Sequence, residues 1–208
     1  MHILDIETIA LPDAQLSNLK PVFEAPSNYK DPAKIADSIA AQETKWREQA
    51  ALSAMTGQVA IIGLLNSVGG FTSYIAHTPD QEPDILRAFW VNFGHGHLMG
   101  WNIKGFDLPF LIQRCWILGI NVPSGVFNNR YISADFATDL LERWTCFQPR
   151  LQTGSTLDAV SKACGLGGKE STGADFARVW AEDKTKALDY CFLDCELTLN
   201  LAKRIGVA

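Results

Sequence analysis

Hydrophobic and acidic positions alternate at the start of the chain. The two acids of this stretch, Asp5 and Glu7, stand two positions apart, each preceded by an apolar residue, Leu4 or Ile6. Successive side chains of a β-strand point to opposite faces, so both acids share one face while their apolar neighbours point into a core. The pattern predicts a first strand at about residues 2–6, with two carboxylates on its open face.

Two further strands are predicted after a long polar segment. Residues 59–65 are continuously apolar, residues 66–70 have the composition of a turn, and residues 71–77 alternate between apolar and polar side chains. Two such runs joined by a short turn are typical of a β-hairpin. The first three strands are therefore expected to form an antiparallel meander.

The polar segment between the first two strands contains helix signals of its own. Asp31 followed by Pro32 is typical of an N-cap with proline in the first turn. Apolar residues at positions 35, 39, 46 and 50 fall on one helical stripe. The sequence thus predicts a helical insertion at about residues 12–57, whose helix ends near Gly57.

The second half of the chain is predicted to be mainly helical. Short strands are expected at residues 97–101 and 131–133, and apolar spacing predicts helices at 80–93, 106–118, 136–145, 156–164, 173–181 and 184–205. This order of elements predicts an α/β fold in which α-helices flank a mixed β-sheet.

Composition limits the class of protein. The chain has 208 residues, of which 47% are hydrophobic and 20% charged, as expected for a single globular domain over residues 1–208. The sequence contains no apolar run of the ~20 residues that a membrane span requires, and acids stand where a signal peptide would be basic and apolar. We expect a cytoplasmic protein without a membrane partner. Five cysteines without a CxxC pair indicate reduced thiols rather than disulfides or a zinc site.

Three more polar residues complete a candidate site. Asp107 opens a predicted helix, and Tyr190 and Asp194 are four positions apart on another, so that these two side chains share a face. Singly, each has an ordinary explanation, such as an acid at a helix N-terminus or a solvated surface charge. Carboxylates that share a site repel one another unless a cation lies between them, and divalent metal ions prefer such oxygen ligands. The net charge of -5 weighs against broad neutralisation of duplex DNA.

These segments together resemble the DEDD superfamily of 3′-to-5′ exonucleases, which has the ribonuclease H-like fold, in its tyrosine-bearing branch. Residues 4–8 resemble its first motif, residues 102–107 its second and residues 190–194 its third. Within the superfamily, these motifs and residues 156–169 are most similar to the proofreading exonuclease domain of family B DNA polymerases. Residues 46–63 are similar to stand-alone predicted exonucleases related to that domain.

The resemblance implies a hydrolase that removes nucleoside 5′-monophosphates from the 3′ end of single-stranded or frayed DNA. It also implies two divalent metal ions, Mg²⁺ or Mn²⁺. Asp5 would bridge the ions, with Glu7 and Asp194 completing one metal site and Asp107 the other. Tyr190 would orient the attacking water.

Four residues are candidates for substrate binding: Thr8, Asn102, Phe106 and Lys169. Asn102 would hydrogen-bond the terminal nucleotide, and Lys169 would lie near a backbone phosphate. Phe106 either stacks on a base or simply packs in the core. Two alternatives stay open: a 3′-to-5′ exoribonuclease acting on short RNAs, and a nucleic-acid-binding module that has lost catalysis. The intact set of four acids and a tyrosine argues against the second.

Overall fold

The computed structural model describes residues 1–93, 96–128, 131–168 and 176–208. In these ranges five strands form one sheet: β1 (His2–Ala10), β2 (Gly57–Asn66), β3 (Phe71–Ile75), β4 (Leu98–Gly100) and β7 (Ala137–Asp139). Their spatial order is β3-β2-β1-β4-β7. The pairs β1/β2 and β2/β3 are antiparallel, whereas β1/β4 and β4/β7 are parallel. The predicted antiparallel meander and the mixed sheet are therefore confirmed.

Helices cover both faces of this sheet. Those in the described ranges are α1 (Asp13–Asn18), α2 (Pro32–Glu48), α3 (Glu82–Phe93), α4 (Asp107–Ile117), α5 (Leu140–Trp144), α6 (Leu157–Ala163), α7 (Phe176–Glu182) and α8 (Lys184–Arg204). Leu4 and Ile6 of β1 belong to a core cluster with residues of α3 and α4. Ile3 belongs to a second cluster with Leu199 and Ala202 of α8. Because side chains alternate along a strand, Asp5 and Glu7 lie on the same face as Ile3, towards α8.

Two sequence-based predictions of secondary structure were wrong in detail, and a third predicted element exists but lies outside the main sheet. The expected helix at residues 136–145 begins instead with strand β7, because residues 137–139 pair in parallel with β4 and tertiary pairing overrides local helical preference. The expected strand at 131–133 is β6 (Tyr131–Ile132), which pairs with β5 (Phe127–Asn128) and lies outside the main sheet. The insertion helix α2 ends at Glu48 rather than near Gly57.

Within the described part of the chain, no helix is both long and apolar enough to cross a bilayer.

Candidate active site

The first two acids lie where strand β1 faces helix α8. Glu7 is buried and Asp5 is half-buried. One carboxylate oxygen of each acid and the Sγ atom of Cys191 on α8 lie within 4.8 Å of one another. Atoms at this spacing could hold a metal ion, and carboxylates supply the oxygen ligands that Mg²⁺ and Mn²⁺ prefer.

Asp107 contacts β1 on the side of the strand that pairs with β4, away from β2. It is the first residue of α4, and its Oδ1 atom accepts a hydrogen bond from the backbone N–H of Ile6 at 3.2 Å. Pairing of β1 with β4 is confined to His2 and Ile3. Further along β1, the carboxylate of Asp107 therefore occupies the side of the strand that β4 leaves open, between the positions of Asp5 and Glu7.

The negative charge of this site affects the pKa of Asp107. Burial raises the pKa of this carboxyl well above its ordinary value, and the negative charge of Asp5 raises it further. Hydrogen bonds from backbone N–H groups, including that of Ile6, act in the opposite direction. Negative charges thus repel one another here, and a bound divalent cation would relieve that repulsion. The donor set fits such a cation.

Tyr190 and Asp194 close the site from helix α8. Asp194 is buried, and it accepts a hydrogen bond from the Tyr190 hydroxyl. Burial raises the pKa of the Tyr190 phenol, and the charges of Asp194, Glu7 and Asp5 raise it further. The phenol therefore stays protonated at neutral pH. The structure brings together all five residues that the sequence indicated as catalytic: Asp5, Glu7, Asp107, Tyr190 and Asp194.

The structure describes three of the four predicted substrate-binding residues. Asn102 and Phe106 bound the turn that leads into Asp107, and both are half-buried. Phe106 packs against Phe110, with ring centroids 5.6 Å apart, and contacts the main core cluster. Thr8 lies next to a register irregularity of β1, and its hydroxyl donates a hydrogen bond to the carbonyl oxygen of Ala51 at 2.7 Å. Lys169 lies outside the described residues.

Sequence reasoning missed two residues at this site. The cysteines were expected only to be reduced thiols, yet the Sγ atom of Cys191 lies within 4.8 Å of a carboxylate oxygen of Asp5 and of Glu7. Its position three residues before Asp194 on α8 was the available signal. Asp139 was not identified, although its carboxylate accepts hydrogen bonds from the backbone N–H groups of Asn102 and Lys104. Nothing in the local sequence distinguishes Asp139 from an ordinary helix N-cap.

Comparison with protein families gives one match over most of the chain. Residues 56–201 match the sequence model of a family described as "Predicted 3'-5' exonuclease related to the exonuclease domain of PolB". The matched range contains Asp107, Tyr190 and Asp194 and begins after Asp5 and Glu7. No curated protein gives a significant sequence match.

Comparison with solved structures supports the fold. The family B DNA polymerase from the hyperthermophilic archaeon Pyrobaculum calidifontis superposes with a TM-score of 0.63 at 18% identity. The superposition covers 98% of this chain and 24% of the polymerase chain, so the chain spans about a quarter of that protein. At this identity the likeness concerns the fold alone. The mixed sheet with flanking helices is consistent with the predicted ribonuclease H-like exonuclease fold.

Proposed function

Because the chain belongs to the family of predicted 3′-5′ exonucleases related to the exonuclease domain of PolB, we propose that it is a divalent-metal-dependent 3′-to-5′ exonuclease. Its substrate would be the 3′ end of single-stranded or frayed DNA, and its products nucleoside 5′-monophosphates. The observation that carries the proposal is the convergence of carboxylates from β1, α4 and α8 beside a protonated tyrosine.

The four acids have the chemistry of metal ligands. Asp5, Glu7, Asp107 and Asp194 would hold two divalent ions, and the raised pKa of Asp107 supports this role because bound cations offset crowded negative charge. When bound, such ions activate water and stabilise negative charge on the scissile phosphate and the leaving oxygen.

Tyr190 has the chemistry of a group that orients water. Its raised pKa keeps the hydroxyl protonated, so the phenol is not a general base at neutral pH. The hydrogen bond to Asp194 fixes the direction of its O–H group and leaves an oxygen lone pair available to a water molecule. The residue would therefore hold the attacking water in line with the phosphate rather than take its proton.

The turn before α4 supplies the groups for the terminal nucleotide. Asn102 is half-buried and would offer its amide for hydrogen bonding, and Phe106, also half-buried, would stack on a base. Stacking tolerates any base, as an exonuclease requires. DNA is proposed rather than RNA because the family is related to a DNA polymerase exonuclease domain.

A time course on a 5′-labelled single strand tests this function. We expect a descending ladder with Mg²⁺ or Mn²⁺, no cleavage with EDTA, and no cleavage of a strand whose 3′ end is blocked. Asp5→Ala, purified in parallel, should be inactive. Asp189→Ala is the matched control on α8. It should be active, because Asp189 is exposed although it is next to Tyr190 in the sequence.

The outcomes separate the candidate functions. Equal ladders from wild type and Asp5→Ala would identify a contaminating nuclease. Faster degradation of the matched RNA strand would assign the exoribonuclease activity instead. Binding of the strand without cleavage under any divalent metal would leave a nucleic-acid-binding module and overturn the proposal.

A further inference from the structure

A buried carboxylate beside the active site has no role in the proposed chemistry. Asp139 is 3% exposed and lies at the end of β7, where it pairs with Gly100 of β4. A buried charged group is costly unless it is fully hydrogen-bonded, so its contacts explain why it is tolerated at this position.

The carboxylate of Asp139 joins two segments of the chain. Its Oδ1 atom accepts hydrogen bonds from the backbone N–H groups of Leu141 at 2.9 Å and Glu142 at 3.3 Å, which makes it the N-cap of α5. The same carboxylate accepts from the backbone N–H of Asn102 at 3.2 Å and from that of Lys104 at 3.0 Å. An N-cap requires only the first pair of bonds.

The second pair of bonds holds a turn that begins in the left-handed region. Asn102 has a φ of 58°, a conformation that residues other than glycine rarely adopt, although asparagine adopts it more readily than most. The backbone N–H groups of Gly105 and Phe106 donate to the carbonyl oxygen of Asn102, both at 2.9 Å, and Asp107 follows directly. An ion pair between Lys104 and Glu142, with Nζ and Oε2 3.1 Å apart, ties the turn to α5 a second time.

We propose that Asp139 is a positioning residue, which holds residues 102–107 in the geometry that brings Asp107 to strand β1 and Asn102 to the substrate. The inference rests on the proposed function and extends it. If Asp139 were only a helix cap, loss of its bonds to the turn would change neither the turn nor turnover.

The substitution Asp139→Ser separates the two roles. Serine is a good N-cap, so it retains the bonds to α5, but it lacks the second oxygen, Oδ2, that accepts from Lys104. Its side chain is also one bond shorter, so its oxygen loses the reach of Oδ1 to the N–H of Asn102. Asp183→Ser is the matched control, because Asp183 caps α8 by accepting from the N–H groups of Thr185 and Lys186.

Two measurements are made on each folded protein. Amide hydrogen exchange should be about tenfold faster or more in the segment 102–106 of Asp139→Ser, as expected for the loss of hydrogen bonds to a charged acceptor. The kcat on single-stranded DNA should fall on the order of 100-fold, since a misplacement of about 1 Å has such an effect, with a smaller change in KM. Asp183→Ser should match wild type in both.

A more conservative variant provides the rescue arm and a safeguard against misfolding. Asp139→Asn keeps one acceptor oxygen and turns an N–H group towards the donors, so its exchange and its kcat should lie between those of wild type and Asp139→Ser. If the serine variant does not fold, the same comparison is made between Asp139→Asn and Asp183→Asn.

Each outcome decides a separate point. Unchanged exchange at residues 102–106 would show that Asp139 does not hold the turn. Faster exchange with wild-type kcat would show that holding the turn does not matter for turnover. Either result overturns the inference while wild type remains active. An inactive wild type would instead refute the proposed function.

Discussion

A Cβ atom added to Gly63 would lie 2.6 Å from the Sγ atom of Cys191. Gly63 pairs with Asp5 across β1 and β2, so the missing side chain faces helix α8 beside the first acid of the site. Because position 63 is empty, the thiol can lie within 4.8 Å of the carboxylates of Asp5 and Glu7. The close approach of α8 to the sheet thus depends on Gly63 of β2, which belongs to none of the three sequence motifs.

Gly63→Ala should destabilise the protein by about 1–3 kcal/mol, the usual effect of overpacking a well-filled core. It should also lower turnover, because the added methyl group pushes α8 away from β1. Adding Cys191→Ala removes the nearest obstructing atom, so the double variant should be more stable than the sum of the two single changes predicts. Urea unfolding of all four proteins measures this coupling. Simple additivity would show that the contact does not limit the approach of α8.

Tyr190→Phe should lower kcat by on the order of 10²-fold or more, within the range for loss of a group that positions a proton-transferring water. The KM should change little, because the hydroxyl contacts the water rather than the nucleic acid. Steady-state kinetics on a labelled single strand measures both. Tyr29→Phe, on the loop before α2, is the control and should match wild type. An unchanged kcat for Tyr190→Phe would show that Tyr190 only packs against Phe176 of α7 and does not orient the water.

Asn102 combines a side-chain role with a backbone role, and two substitutions separate them. Asn102→Gly removes the amide but favours the positive φ of 58°. Asn102→Ala removes the amide and strains the turn, at a further cost of roughly 1 kcal/mol. We expect both to raise the KM, and only the alanine variant to unfold at lower urea concentration. If Asn102→Gly kept the wild-type KM, the side chain would not bind the substrate.

Asp107→Asn should be inactive yet more stable than wild type at neutral pH in EDTA. The amide oxygen can still accept from the N–H of Ile6, while the repulsion from Asp5 disappears. The raised pKa of Asp107 means that its protonated form stabilises the fold below its ordinary pKa of 3.8, and that this contribution is lost as the pH rises through the raised pKa.

The advantage of Asp107→Asn should therefore grow with pH, by about 1.4 kcal/mol for each unit of pKa shift. Saturating Mn²⁺ should reverse the order, because the ions stabilise wild type by binding to its folded state. Urea unfolding at pH 4 and pH 8, with Asp189→Asn as the control, measures the effect. A constant difference between these two pH values would exclude a raised pKa for Asp107.

The candidate catalytic residues could be proposed from the sequence because their signals are local. Two-residue alternation put Asp5 and Glu7 on one face of a strand, and four-residue spacing put Tyr190 and Asp194 on one face of a helix. Both periodicities survive folding because they follow from backbone geometry. Asp107 could be identified because it stands at the start of a helix that follows a buried strand.

The supporting residues were not predictable because their contacts depend on tertiary pairing. Asp139 contacts Asn102 across 37 positions, and only because β7 lies in parallel beside β4. A strand of three residues has no period that a sequence can reveal, which is why residues 137–139 were predicted as helix. Cys191 likewise joins the carboxylates because of a glycine on another strand.

A buried ion pair connects the helix that carries Asp107 to the rest of the fold. Arg114 of α4 and Glu82 of α3 have side chains 4% and 2% exposed, with Nη2 and Oε2 2.6 Å apart. Arg114 also donates to the carbonyl oxygen of Ala54 at 2.9 Å, and Glu82 accepts from the backbone N–H of Val59 at 2.8 Å. The pair therefore fixes α3 and α4 to the segment that enters β2.

Arg114→Met should destabilise the protein by about 3–5 kcal/mol, because it leaves the charge of Glu82 buried without its cation. Combining it with Glu82→Gln should recover much of this loss, since the amide oxygen can still accept from Val59 and no charge remains. Arg87→Met removes an exposed ion pair on α3 and should cost less than about 1 kcal/mol. Urea unfolding compares the variants. If Arg114→Met were no more destabilising than Arg87→Met, the buried pair would not hold α4 in place, and the position of Asp107 would depend on the turn alone.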